Sequence, residues 1–392
     1  MKKLVLIIGI LTLLTGCWDI REIDEMGFVL AISLDPQDDQ EIKEHFVDES
    51  KKLETQMFKT TYQVVIPRVL SEGNPLEKKA FFNISTTGRT NFKSNRNIVS
   101  RRSRRLNYEH LKVLIINDQL VKDVFIENLI DYFIRDHEMR RDTLVFISNG
   151  NGEKILNQKL PLEIMPAISI KMIQENYRAH HGMLADLNIG ELSKKVLEEK
   201  SYLIPHIVHK QGDFKIAGAA IMQWNKFKGW LGEEDIDGVN IILSDTENSV
   251  VEASYKGKLF VYETSNLNTS IKYTQKDGVD HFHLLIKSEG SFVENWVDNI
   301  KLSEQETNEQ LQKEVAKEIE NKALKVIEKL QHQYYADALG FGKYVNRKTP
   351  KHWKQIKKEW EGENGYFSKA NFTVEAEVRI RDYMTKEEID VN

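Results

Sequence analysis

One thiol is available to the whole chain. Cys17 is the only cysteine among 392 residues and follows Leu13-Leu14-Thr15-Gly16. Before it come a positive start, Lys2 and Lys3, and an apolar stretch from Leu4 to Leu14. That order suits a lipoprotein leader, because small residues let a protease reach the backbone just before the cysteine, whose thiol takes a diacylglyceryl group. The apolar stretch is about eleven residues, well short of the roughly 20 a spanning helix needs, and no Ala-x-Ala-like site of a plain secretory leader is present. Residues 1–16 are expected to be removed and Cys17 to carry lipid (palmitate). Two acyl chains hold a protein stably on a bilayer, whereas one binds only marginally.

With Cys17 lipidated, disulfides, cysteine metal sites and thiol catalysis are excluded. His180-His181, His206 with His209, and His281 with His283 are the candidate metal pairs. No third ligand accompanies any of them, so solvent-facing or hydrogen-bonded histidines are the expectation. Gly-x-Ser-x-Gly, a phosphate-binding glycine loop and His-Glu-x-x-His are all missing. No catalytic set is expected, no cofactor and no metal. Two basic features remain. Arg101, Arg102, Arg104 and Arg105 suit either phosphate headgroups or a partner's acidic surface; as a solvated loop or salt-bridge network they need no partner. Lys351, Lys354, Lys357 and Lys358, interleaved with Trp353, Ile356 and Trp360, suit either a membrane interface or a helix whose tryptophans pack on the body.

Composition is that of a globular protein, 41% hydrophobic and 29% charged. The formal net charge is −5, and −7 once Lys2 and Lys3 leave with the leader. Nucleic-acid binders are usually basic, so no nucleic-acid partner is expected.

The elements that must position these groups follow from periodicity. Phe28 to Leu34 reads as a buried strand ended by Asp35-Pro36, and Thr60 to Pro67 as its hairpin partner; 37–56 and 71–80 read as loops. His110 to Ile116 is a strand, Val121 to Phe133 recurs at helical spacing, and Leu144 to Ser148 is a strand again, a crossover unit. Residues 153–200 read as helical with breaks at Pro161 and Pro166, and Pro205 as a boundary. Phe214 to Gln223, Gly229 to Leu231, Leu259 to Tyr262, Ser270 to Tyr273 and His281 to Lys287 read as strands. Ser303 with Glu306 forms a capping box. From Leu311 to Tyr334 one apolar stripe recurs at steps of three and four, ending near Gly340. A basic helix from Pro350 to Trp360 follows, then an alternating strand from Phe372 to Ile380, expected under the long helix.

The class is therefore α+β, with antiparallel or mixed β-sheets covered by helices and one long amphipathic helix in the C-terminal domain. The expected division is a leader over 1–16, an N-terminal α+β domain over 17–200, a middle strand-rich domain over 205–263 and a C-terminal α+β domain over 264–392.

Several stretches share one pattern. They are Cys17-Trp18-Asp19-Ile20-Arg21-Glu22-Ile23, Ala31-Ile32-Ser33-Leu34-Asp35, Leu106-Asn107-Tyr108-Glu109-His110-Leu111-Lys112-Val113 and Arg135-Asp136-His137-Glu138-Met139-Arg140-Arg141. Ala217-Gly218-Ala219-Ala220, Gly229-Trp230-Leu231, Tyr335-Ala336-Asp337-Ala338-Leu339-Gly340-Phe341-Gly342, Pro350 to Trp360 and the closing strand complete it. In this order the stretches resemble the Ger(x)C family, the lipoprotein C subunit of bacterial spore germinant receptors. Thr87-Gly88-Arg89-Thr90-Asn91-Phe92-Lys93 departs from it, being more polar than the family's apolar helix start.

The resemblance implies a three-domain, non-enzymatic lipoprotein on the outer face of the spore inner membrane. Its implied partners are the membrane and two integral membrane subunits, one transporter-like, in a receptor for nutrients such as amino acids or sugars. It carries over Cys17 as the lipid site and nothing else. The Arg135-Asp136 motif is expected to fix a turn at a helix end. The alternative is a solute-capturing lipoprotein of a transporter, which would show regular strand–helix alternation around a cleft.

Overall fold

The computed structural model describes residues 26–37, 57–67, 69, 79–160, 162–210, 212–245, 249–297, 300 and 304–382. The leader, Cys17, Trp18-Asp19, Pro161, Ser303 and nearly all of the two loops read at 37–56 and 71–80 lie outside them.

Two mixed sheets organise the chain. In the first, β1 (Met26–Pro36) pairs antiparallel with β2 (Phe58–Val65), and β2 with β3 (Phe81–Gly88). After α1 (Asn91–Val99), a short β4 (Arg105–Asn107) runs parallel to the start of β1, with Met26 opposite Arg105. Next comes β5 (Val113–Asn117), parallel to β1. The helices α2 (Asp118–Asp123) and α3 (Ile126–Arg135) lead to β6 (Leu144–Ser148), parallel to β5. The crossover unit is therefore present, with its helix in two pieces. Three more helices, α4 (Gly152–Leu156), α5 (Pro166–Glu175) and α6 (Ile189–Leu197), precede β7 (Ser201–Lys210), which is parallel to β6. An antiparallel meander of β8 (Asp213–Gln223) and β9 (Lys226–Leu231) completes the sheet.

Burial explains the order. Every residue of β5 and β6 is buried, as expected for strands covered on both faces. Leu114, Ile116, Val145 and Ile147 pack with α2, α3 and α6, while Val113, Ile115, Leu144 and Phe146 pack with α4 and α5. Pro205 lies inside β7, at a bulge where the register shifts before Ile207. A proline is tolerated there because no ladder donor is required. The stretch 205–263 thus enters the first sheet through β7 to β9 and the second through β10 and β11, instead of closing on itself.

The helix α7 (Glu233–Leu243) joins the sheets. The second sheet has the order β10 (Val250–Tyr255), β11 (Lys258–Lys276), β12 (Val279–Asn295) and β13 (Asn371–Asp382). The strands read separately at 259–262 and 270–273 are one strand of 19 residues. Its hairpin turns through Asp277 and Gly278, both at positive φ, the twist a two-residue hairpin needs.

The long helix α8 (Gln305–Lys329) begins after Glu304 at the N-cap and continues as a π-turn, Leu330–Tyr334. Leu311, Val315, Ile319, Ala323, Val326, Ile327 and Leu330 are all buried, as the stripe predicts. Each large member contributes about 1.5–3 kcal/mol by leaving water. It crosses from β12 to β13, which are parallel. Its polar side chains also serve β13: Glu320 accepts from the Ala376 amide at 2.8 Å and Gln312 from the Ile380 amide at 3.1 Å. Those are edge donors that would otherwise invite another strand.

Beyond α8, the chain turns at Tyr335 and forms α9 (Gly342–Lys348), α10 (Pro350–Ile356) and α11 (Tyr366–Lys369). Asp337 is buried at the centre of this turn. It accepts from the Phe341 amide at 2.8 Å, the Gly342 amide at 2.7 Å and the Trp360 indole at 2.8 Å. Burial pushes its carboxyl up to about 7, against these donors. A raised folded pKa gives a contribution that is full below the unfolded value and lost as pH rises through the folded one. Wild-type stability, measured relative to Asp337→Asn, should therefore fall from about pH 4 to about pH 7. Melting curves of both proteins across that range check this, and a flat difference would refute it. His206, packed on Trp230 and pushed by burial down to about 4, acts in the opposite sense but cancels in the difference.

Candidate functional site: an arginine-lined cleft

A concavity of about 1270 Å³ lies between α1, the loop 100–104, β4 and the end of α3. Six arginines line it: Arg89, Arg96, Arg102, Arg104, Arg105 and Arg135. They face three carboxylates, Asp131, Asp136 and Glu138. The excess of positive charge stands out on a chain whose total is negative.

Local chemistry builds the walls. Thr90 caps α1, its hydroxyl accepting from the Lys93 amide at 3.2 Å. The polar stretch that departs from the family pattern is therefore a capped helix start. The first turn of α1 carries no acidic residue. Asn91 donates to the Leu129 carbonyl at 2.8 Å, tying α1 to α3. Behind it, Tyr108 donates to Asn95 at 2.6 Å and Asn95 to the Tyr132 hydroxyl at 2.7 Å. Burial raises the pKa of both tyrosines, so the floor stays neutral.

Two arginines are neutralised: Arg105 by Glu138 at 2.6 Å and Arg135 by Asp131 at 2.8 Å. Asp136 accepts from the Glu138 amide at 2.9 Å and fixes the turn after α3, the structural role expected of that motif. Arg96 lies over the Phe92 ring and Arg102 over the Phe82 ring. Neither these two nor Arg104 has a carboxylate partner among the described residues. On the same rim Phe92 is 52% and Val99 57% exposed. Cations beside exposed apolar groups can take an anionic, amphiphilic surface.

Of the basic run, Arg101 turns away to the Ser85 carbonyl at 2.7 Å, while Arg102, Arg104 and Arg105 enter the cleft. Arg89, Arg96 and Arg135 join them, which the run alone did not signal. The other basic feature is shorter than the helix expected over Pro350 to Trp360: α10 ends at Ile356 and turns follow it, with Trp360 buried, Trp353 half-buried and all four lysines facing water.

The histidines disperse. His180 stacks on His181 beside Glu233, and burial lowers its pKa. His209 meets Gln158. His283 meets Thr373 at 3.1 Å, with Glu375 at 3.9 Å. Among the described residues no three His, Cys, Asp or Glu side chains are placed to hold a metal.

Comparison with known proteins covers nearly the whole chain. A family model described as "Spore germination protein N-terminal domain" matches residues 19–209, and one described as "Spore germination B3/ GerAC like, C-terminal" matches residues 217–384. "Spore germination protein YndF" of Bacillus subtilis (strain 168) is 28% identical over 400 residues, 98% of this chain and 97% of that one. "Spore germination protein A3" from the same organism is 28% identical over 392 residues, covering 98% and 99%. "Spore germination protein B3", also from that organism, is 24% identical over 376 residues, 95% of each. A crystal structure of the GerBC protein shares the fold with a TM-score of 0.59 at 21% identity, covering 84% of this chain and 95% of that one.

Proposed function

This chain belongs to the GerAC-like family of spore germination proteins, and from that premise we propose that it is the lipid-anchored, non-catalytic subunit of a nutrient germinant receptor. The observation that carries the reading is the match of the family's two halves, in order, to residues 19–209 and 217–384. In this role Cys17 holds the diacylglycerol and the body rests on the outer face of the spore inner membrane. Its partners are integral membrane subunits of the same complex, one of them transporter-like. The position of Cys17 supports the anchor, because β1 begins at Met26, only nine residues on. Among the described residues no helix is long and apolar enough to cross a membrane.

The test is germination of spores lacking this chain, offered a panel of amino acids and sugars, with dipicolinate release as the readout. We expect loss of response to one nutrient class, with a nutrient-independent trigger unaffected. A normal response to every nutrient would overturn the reading. In the same cells, with membranes washed at high salt so that electrostatic contacts with lipid are screened, Cys17→Ala should move the chain from the membrane to the soluble fraction, and retention of the variant on salt-washed membranes would remove the lipid anchor from the account.

A further inference from the structure

We propose that the arginine-lined cleft is a docking surface for anionic phospholipid headgroups, which sets the orientation of the body on the bilayer. This rests on the lipid-anchor reading for its geometry. Position carries it first. Strand β4 pairs with the start of β1, placing Arg105 opposite Met26. Met26 is nine positions on from Cys17, and even fully extended that stretch spans only about 30 Å. The cleft therefore lies at the end of the body from which the tether leaves. A tethered site meets its ligand at high effective concentration, and the ligand there is a lipid surface.

Charge carries it second. The mature chain is net negative, so an anionic membrane repels most of its surface. The cleft has the opposite sign, with Arg96, Arg102 and Arg104 free of carboxylate partners among the described residues. Arginine forks bind phosphate oxygens in pairs. The exposed Phe92 and Val99 beside them suit the interface below the headgroups. The lysines of the α10 region lack this placement: they belong to the C-terminal sheet's helices, while the tether leaves from β1.

The experiment uses the mature chain from residue 17 carrying Cys17→Ser, so that no lipid is attached and the cleft is tested apart from the anchor. Co-sedimentation is measured with vesicles of phosphatidylcholine alone and of phosphatidylcholine mixed with phosphatidylglycerol. We expect binding to the mixed vesicles only, weakening with salt. Arg102→Glu with Arg104→Glu should reduce it by about tenfold or more, whereas Lys351→Glu with Lys354→Glu should leave it unchanged. Melting curves verify that each variant is folded, and the milder Arg104→Ala, at a side chain with no partner among the described residues, should reduce binding in the same direction. Equal binding to both vesicle types, or binding indifferent to the arginines, would overturn the proposal. Displacement by inorganic phosphate at matched concentration would reassign the cleft to a small anion. Capture of polyglutamate in place of vesicles would reassign it to an acidic protein segment. Failure of Cys17→Ala to release the chain in cells would remove the tether alone, leaving the vesicle result to stand or fall by itself.

Discussion

Asp337→Ala should destabilise the folded chain by about 3–6 kcal/mol, enough to leave many domains of ordinary stability largely unfolded. The carboxylate takes three hydrogen bonds at once, from Phe341, Gly342 and Trp360. Alanine leaves all three donors buried, and each unsatisfied group costs about 1–3 kcal/mol. The loss spreads, because this knot joins the halves of the molecule. The Asp337 amide donates to Glu361 at 3.0 Å. The same carboxylate accepts from Ser201 at 2.8 Å and Gln223 at 3.1 Å, both in the first sheet. Trp360 in turn packs edge-on to Trp353 and Phe282. Denaturant titration measures the effect. Trp360→Phe removes one donor along with its bond and should cost clearly less than Asp337→Ala. A midpoint for Asp337→Ala equal to wild type would show that the knot holds nothing together.

That knot also marks how far sequence reading reaches. Tyr335 to Gly342 is recognisable as a motif, yet no periodicity shows that its aspartate is buried or what it holds. The long helix and β13 were legible because nothing interrupts their repeats, and burial follows the stripe from Leu311 to Leu330. The helix read from Val121 to Phe133 failed at its middle. Val124 and Phe125 are apolar and keep the spacing, but both adopt extended backbone, and the Ile126 amide donates to Asn225 in the turn between β8 and β9. A tertiary hydrogen bond decided that break, and local sequence does not encode it. Pro205 misled for a related reason: a bulge lets a strand run through the residue that usually ends one. In the cleft, the run at 101–105 was visible, but Arg89, Arg96 and Arg135 reach it only because Asn91 and Asn95 tie α1 to α3.

The contact between α7 and α8 should prove the strongest charge coupling in the molecule. Lys322 lies 2.5 Å from the buried carboxylate of Asp237, which also accepts from Ser249 at 2.9 Å. Two residues earlier on α7, Asp235 takes Lys329 at 2.6 Å and caps the Gly232 amide at 2.8 Å. The helices come close because residue 238 is glycine; a Cβ there would sit 2.4 Å from the Lys322 carbonyl. The Asp237 side chain is only 2% exposed, so water replaces a lost partner poorly. Lys322→Met should therefore cost about 3–5 kcal/mol, because it leaves Asp237 buried with one hydroxyl donor. Asp237→Asn in the same chain removes the uncompensated charge and should recover much of that loss. The double-mutant cycle isolates this coupling. Effects that add to within about 0.5 kcal/mol would mean that the two side chains act independently. A large coupling would identify this pair as a main polar link through which α7, leaving the first sheet, is held to the helix that covers the second.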